Sequence, residues 1–182
     1  MPGIKSEFPS PPIRALLVED NADFARIIKH TLSFEKYPLF EVEHAENLET
    51  ALHALREKSF DLILTDLGLP DSRGIDTFDQ IAALKKNIPV VILTAMDNES
   101  LALDVVKKGA QDYLVKTDID AKILVRILKY ALERHQQRNQ MEELNGRLEK
   151  LSFLDPLTEL LNRRGLQRIL RDRKSTRLNS SH

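Results

Sequence analysis

"FDLILTDLGLPDSRGIDTFDQIAALKK", residues 60–86, decides the fold. It opens as an unbroken apolar run, ends that run on a carboxylate at Asp66, turns through Gly68, Pro70 and Gly74, and resumes with apolar residues at helical spacing. A run without alternation suits a strand covered on both faces, as in a parallel sheet between two helix layers. The same unit recurs in both directions. "IRALLV" (13–18) and "IPVVILT" (88–94) are further unbroken runs, "FEVEHA" (40–45) alternates as an edge strand does, and "DYLV" (112–115) supplies a fifth candidate. "NADFARIIKHTLSF" (21–34), "NLETALHALREK" (47–58) and "NESLALDVVKKG" (98–109) read as amphipathic helices, each with an asparagine placed to cap it. The pattern is (βα)5: an α/β fold with a doubly wound parallel sheet and right-handed crossovers.

Composition narrows the function classes. The chain has 182 residues, 42% of them hydrophobic, which suffices for one good core and part of a second. Its formal net charge of -1 gives no global reason to expect nucleic acid, and no nucleic-acid partner is expected. The absence of cysteine excludes disulfides, thiol catalysis and cysteine-ligated metals. Residues 1–12, "MPGIKSEFPSPP", lack the apolar run of a signal peptide and read as a flexible leader. No stretch is long and apolar enough to span a bilayer, so a soluble cytoplasmic protein without a membrane partner is expected.

In open α/β sheets the active crevice lies at the carboxyl ends of the strands. Those ends carry Glu19 and Asp20, Asp66, Thr94 and Lys116. Three carboxylates on one rim repel one another and raise their own pKa values unless a cation joins them. A hard divalent ion, Mg²⁺, answers that need with oxygen ligands and retained waters. Asp66 can then attack phosphorus and form an aspartyl phosphate, with Mg²⁺ and Lys116 balancing charge on the equatorial oxygens. Asp20 has a second reading, as the cap of the helix that follows it. The histidines, His30, His44, His53, His135 and His182, are scattered, and none is assigned to a metal.

"LLVEDN", "DLILTDLGLPDSRGID", "VVILTAMD" and "GAQDYLVK" together resemble the receiver domain of two-component response regulators, over residues 13–133. The resemblance implies a flavodoxin-like strand order 2-1-3-4-5, Asp66 as phosphoacceptor, and a sensor histidine kinase or phosphotransfer protein as donor. It further implies that Asp20 and Asp66 bind Mg²⁺ directly, Glu19 through water, and the Gly68 backbone carbonyl as a third protein ligand. Thr94 matches the hydroxyl that bonds the phosphoryl group, Lys116 the ammonium that pairs with it, and Tyr113 the aromatic switch residue. Tyr113 also reads as an ordinary half-buried strand tyrosine. One departure stands out: the family usually places proline after the lysine, where this chain has Thr117.

Beyond the receiver, residues 121–154 contain no proline and one glycine, and read as one long C-terminal helix. Residues 134–154 form a helical or coiled-coil linker in which Met141, Leu144, Leu148 and Leu151 keep the 3-4-3 spacing of a coiled-coil seam. A parallel homodimer through helix 121–154 is expected, the other reading being a solvated charged helix. The seam leads to "LDPLTELLNRR", which resembles the opening of diguanylate cyclase (GGDEF) domains through Asp155, Leu157, Thr158, Leu160, Asn162, Arg163 and Arg164. Residues 155–171 are therefore read as the truncated start of such a domain, whose signature loop and GTP-binding residues do not occur in this chain. The final "DRKSTRLNSSH" (172–182) resembles a sequencing-library adapter translated in frame and is read as an artefact.

The expectation is a phosphorelay receiver controlling a cyclic di-GMP-producing output in a longer parent, with the chain itself not an enzyme. Three rivals stand beside it. One is a phosphate-independent protein-interaction receiver, and another a receiver driving a degenerate cyclase fused to a phosphodiesterase. The third, a Mg²⁺-dependent phosphohydrolase, would need a second aspartate just after the nucleophile, where the chain has Leu67 and Gly68.

Overall fold

The computed structural model of the chain describes residues 11–35, 38–84, 87–95 and 98–152. The leader up to residue 10, the cyclase-like stretch 155–171 and the adapter-like tail lie outside them. By its internal contacts the chain divides into a unit ending at His135 and another beginning at Gln136.

The first unit is built on β1 (Ile13–Val18), β2 (Phe40–Ala45), β3 (Leu62–Asp66), β6 (Val90–Thr94) and β7 (Asp112–Val115). They form one parallel sheet in the order β2-β1-β3-β6-β7. Counting these five strands alone, that is the order 2-1-3-4-5. Its helices are α1 (Ala22–Ser33), α2 (Leu48–Glu57), α3 (Ile75–Leu84), α4 (Glu99–Lys108) and the first part of α5 (Ala121–Ser152). One feature was absent from the sequence reading: β4 (Gly68–Leu69) and β5 (Ser72–Arg73) make a small antiparallel hairpin directly after Asp66.

Successive strand residues face opposite sides, which is why the apolar runs do not alternate. Leu16, Val18, Ile63 and Ile92 pack with Leu48, Leu55, Phe78, Ile81 and Val105 from α2, α3 and α4. Ala15, Leu17, Leu62, Leu64, Val91 and Leu93 pack with Ile28 and Leu32 of α1 and with Leu124, Leu128 and Ala131 of α5. Both layers are needed to cover a sheet whose central strands have no solvated face. β2, by contrast, buries only Phe40 and Ala45 at its ends, as an edge strand should.

The caps match the sequence in part. The Asn21 carboxamide oxygen accepts from the Asp23 and Phe24 amides, and that of Asn47 from the Thr50 amide. The capping role before α1 therefore falls to Asn21 rather than Asp20. Asn98 precedes α4 without a side-chain cap. α5 runs unbroken to Ser152, and among the described residues no helix is long and apolar enough to cross a membrane. In the second unit, Met141, Leu144 and Leu148 are exposed and Arg147 pairs with Glu143 at 2.6 Å.

Candidate functional site

Glu19, Asp20 and Asp66 converge where β1 and β3 end. One carboxylate oxygen from each lies within 4.8 Å of the others. Lys116, just past β7, reaches across the rim: its Nζ donates to Asp66 Oδ2 at 2.6 Å and to Glu19 Oε1 at 2.8 Å. These are charge-assisted bonds, the strong class of side-chain hydrogen bond. The parallel register makes the meeting possible, pairing Asp66 with Leu93 and Thr94 with Val115, so that the four strand ends lie side by side.

Burial divides the three acids. Glu19 is fully buried, Asp66 half-buried and Asp20 exposed. Burial pushes the Glu19 carboxyl above its ordinary range, Lys116 pulls it back and the neighbouring Asp66 charge pushes it up again. For Lys116, burial disfavours the ammonium, but its bonds to Asp66 and Glu19 prevail and hold its pKa up. Glu19 Oε2 sits 2.7 Å from the Lys116 nitrogen yet makes no hydrogen bond. Three carboxylates against one ammonium leave the cluster net negative, a charge balance that fits a divalent cation.

The loop after Asp66 is shaped by the hairpin. The Gly68 amide donates to Asp66 Oδ1 at 2.9 Å, and the Gly74 amide to the Leu67 carbonyl at 2.7 Å. Gly74 has φ +62°, a left-handed conformation that glycine adopts without strain. At the hairpin tip, the Asp71 oxygens accept from the Leu48 and Glu49 amides, both at 2.9 Å, at the start of α2. Burial opposes the Asp71 charge, but these amide bonds outweigh it and hold the carboxyl below the usual range.

An open cleft of about 580 Å³ is lined by Asp20, Asp66, Gly68, Arg73, Thr94 and Asn98, among others. Thr94 is buried, and its hydroxyl donates to the Ala95 carbonyl at 3.1 Å rather than to a group of the cluster. Tyr113 lies half-buried against the core layer of α2, α3 and α4 and is paired with Ile92 in the sheet. Lys116 opens a single 3-10 turn, Lys116–Asp118, in which Thr117 takes the place of the usual proline.

The fold thus gathers Glu19, Asp20, Asp66, Gly68, Thr94 and Lys116 at one rim, with Tyr113 two register positions back from Thr94, opposite Ile92. Sequence reasoning missed Asp71, whose signal was a carboxylate directly after proline in a turn. It also missed Phe24, whose ring centroid lies 4.9 Å from the Lys116 nitrogen. Nothing in local spacing joins residues so far apart in the chain. His44, unassigned in the sequence, has its Nε2 2.7 Å from the Glu19 carbonyl and braces the end of β1 from the edge strand.

A parallel sheet in the order 2-1-3-4-5 with an acid triad and a lysine at its carboxyl edge places the chain among receiver-like α/β domains. Residues 15–136 match the response regulator receiver domain family, and the chain belongs to that family. Among curated proteins it is 37% identical over 101 residues to the transcriptional regulatory protein ZraR of Klebsiella oxytoca, covering 56% of this chain and 22% of that one. It is 30% identical over 152 residues to the response regulator protein PilR of Pseudomonas aeruginosa, covering 84% and 33%. The chain therefore spans a third or less of the length of these two relatives. Among solved structures, the signal receiver domain of a LuxO repressor-like protein from Vibrio parahaemolyticus superposes with a TM-score of 0.62 at 31% identity, over 72% of this chain and 98% of that one. NtrX from Brucella abortus gives a TM-score of 0.66 at 26% identity, over 73% and 29%.

Proposed function

We propose that the chain is a phosphorylation-dependent receiver in which Asp66 accepts a phosphoryl group. The donor is a phosphohistidine on a sensor kinase or phosphotransfer protein, or a small acyl phosphate. An Asp66 oxygen forms the new P–O bond as the donor's P–N bond, or its P–O bond to the acyl group, breaks and the leaving group departs with the electron pair. The observation that carries this reading is the Lys116 ammonium bonded to both Asp66 and Glu19, with Asp20 in the same cluster.

Asp20, Asp66 and the Gly68 carbonyl would hold Mg²⁺ directly, and Glu19 would reach it through water. When bound, Mg²⁺ supplies the charge that lets three carboxylates and a phosphoryl group share one crevice. Lys116 shifts from the Asp66 carboxylate toward the phosphoryl oxygens. The Thr94 hydroxyl gives up the Ala95 carbonyl and donates to the phosphoryl group, and Tyr113 turns inward behind it. Such a local change biases a two-state equilibrium at the face formed by α4 and β7.

The output of this switch is a homodimer formed through α5. In a longer parent, the cyclase-like opening at 155–164 would connect that dimer to cyclic di-GMP synthesis from GTP, which this chain does not itself perform. The protein acts in the cytoplasm, through protein partners rather than nucleic acid or membrane.

Beryllofluoride, a phosphoryl mimic, tests the reading with the full chain and Mg²⁺. Binding to the wild type, its loss in Asp66→Asn, and a shift toward dimer by light scattering are expected. Absence of Asp66-dependent binding would assign the acidic rim to phosphate-independent protein interaction.

A further inference from the structure

Lys116 must change partners during the proposed reaction, and its two anionic partners are the groups whose charge is redistributed. Asp66 becomes an acyl phosphate, and Glu19 would reach a bound Mg²⁺ through water. A lysine on a four-carbon stem with rotatable donors does not keep its place by itself. In this chain the residue after it is Thr117, so the backbone restraint of a proline ring is absent at that point.

The structure supplies a different restraint. The Lys116 ammonium lies 4.9 Å from the centre of the Phe24 ring, within the range of a cation–π attraction. Phe24 is itself held firmly. Its amide donates to the Asn21 cap at 3.0 Å, which fixes it in the first turn of α1, and its side chain packs against the core layer of α1 and α5. Lys116 is only 21% exposed, so the ammonium is substantially desolvated, and the attraction is stronger there than at a fully hydrated surface. Unlike the bonds to Asp66 and Glu19, this contact does not depend on the charge of the acid cluster.

We infer that Phe24 is a positioning residue for the phosphoryl-transfer site: its ring holds the Lys116 ammonium over the crevice as the lysine passes from carboxylate to phosphoryl oxygen. The inference rests on the receiver reading above and assigns the aromatic a role beyond filling the core.

The test is beryllofluoride affinity with Mg²⁺ on the full chain. It compares the wild type with Phe24→Leu, Phe24→Trp and a protein carrying pentafluorophenylalanine at position 24. Leucine keeps an apolar side chain without the π face. Pentafluorophenylalanine nearly keeps the ring's shape while reversing its quadrupole, and tryptophan strengthens the π face. Phe24→Leu and the fluorinated protein are expected to bind beryllofluoride about threefold to tenfold more weakly, with Phe24→Trp close to wild type. Thermal unfolding of the same samples separates this order from packing damage, because the fluorinated ring should unfold near the wild-type temperature. Wild-type affinity in both the leucine and fluorinated proteins would overturn the inference while leaving the receiver reading intact. Equal weakening in all three variants would also overturn it, marking Phe24 as packing only. Failure of the wild type itself to bind in an Asp66-dependent way would remove the receiver reading and this inference with it.

Discussion

Glu19 and Lys116 show how much of the site one pair of residues decides. Glu19 is buried to 0% exposure, and its only cationic contact among the described residues is an ammonium it shares with Asp66. Removing one partner of a buried ion pair typically costs about 3–5 kcal/mol, because the other charge is stranded. Partial hydration of Lys116 reduces that figure here. Lys116→Met is therefore expected to destabilise the metal-free protein by about 2 kcal/mol, and Mg²⁺ is expected to restore more stability to this variant than to the wild type. Urea unfolding with and without Mg²⁺ checks both; equal Mg²⁺ effects would show that the ion does not stand in for the missing ammonium. Because burial raises the Glu19 pKa in the folded state, the native Glu19 carboxyl keeps its proton between the unfolded value of about 4.3 and its higher folded value, where the unfolded one has lost it. Metal-free stability should thus fall as pH rises from about 4.3 through the folded Glu19 value, and Glu19→Gln should flatten that limb. These residue types were legible in the sequence because each ends a strand. Their division into buried, half-buried and exposed acids was not, since it depends on how α1 closes over β1.

Elements were legible wherever a period persisted for several residues. The unbroken runs of β1, β3 and β6 and the alternation of β2 report layers that bury both faces or one. The β4–β5 hairpin escaped because two-residue strands carry no period, and its tip is explained by a contact between distant segments. Asp71 caps α2, whose own cap Asn47 serves the Thr50 amide, so two side chains divide the free amides of that helix start. The hairpin bearing Gly68 is thereby tied to α2. Asp71→Ala should cost about 1 kcal/mol, the usual worth of an N-cap, measured by urea unfolding at neutral pH. The pH dependence gives a sharper check. The folded Asp71 pKa is lowered, so its stabilisation is present above the unfolded value of about 3.9 and lost as pH falls through the folded one. Asp71→Asn should remove that acid-limb loss, and an unchanged acid limb would mean that the carboxylate charge contributes nothing to the cap.

At the scale of the whole molecule, the switch needs an element that carries its state away from the crevice. α5 is the candidate, packing Leu124, Leu128 and Ala131 into the receiver core and continuing to Ser152. In the second unit Met141, Leu144 and Leu148 are 61%, 56% and 64% exposed, which is unusual for three large apolar residues at seam spacing on one helix. Burying the six such side chains of a helix pair would return at most roughly 9–18 kcal/mol, of the same order as an association cost of about 4–15 kcal/mol. The balance is small enough for a change at Asp66 to tip, which a much longer seam would not allow. Leu144→Asp with Leu148→Asp should therefore keep the protein monomeric in beryllofluoride and Mg²⁺ while leaving Asp66-dependent beryllofluoride binding intact. Dimerisation that survives the double substitution would place the interface on the receiver itself, with α4 and β7 the face to disrupt next. Loss of beryllofluoride binding along with the dimer would instead mean that the seam and the crevice form one cooperative unit, in which association is a condition of phosphorylation rather than its result.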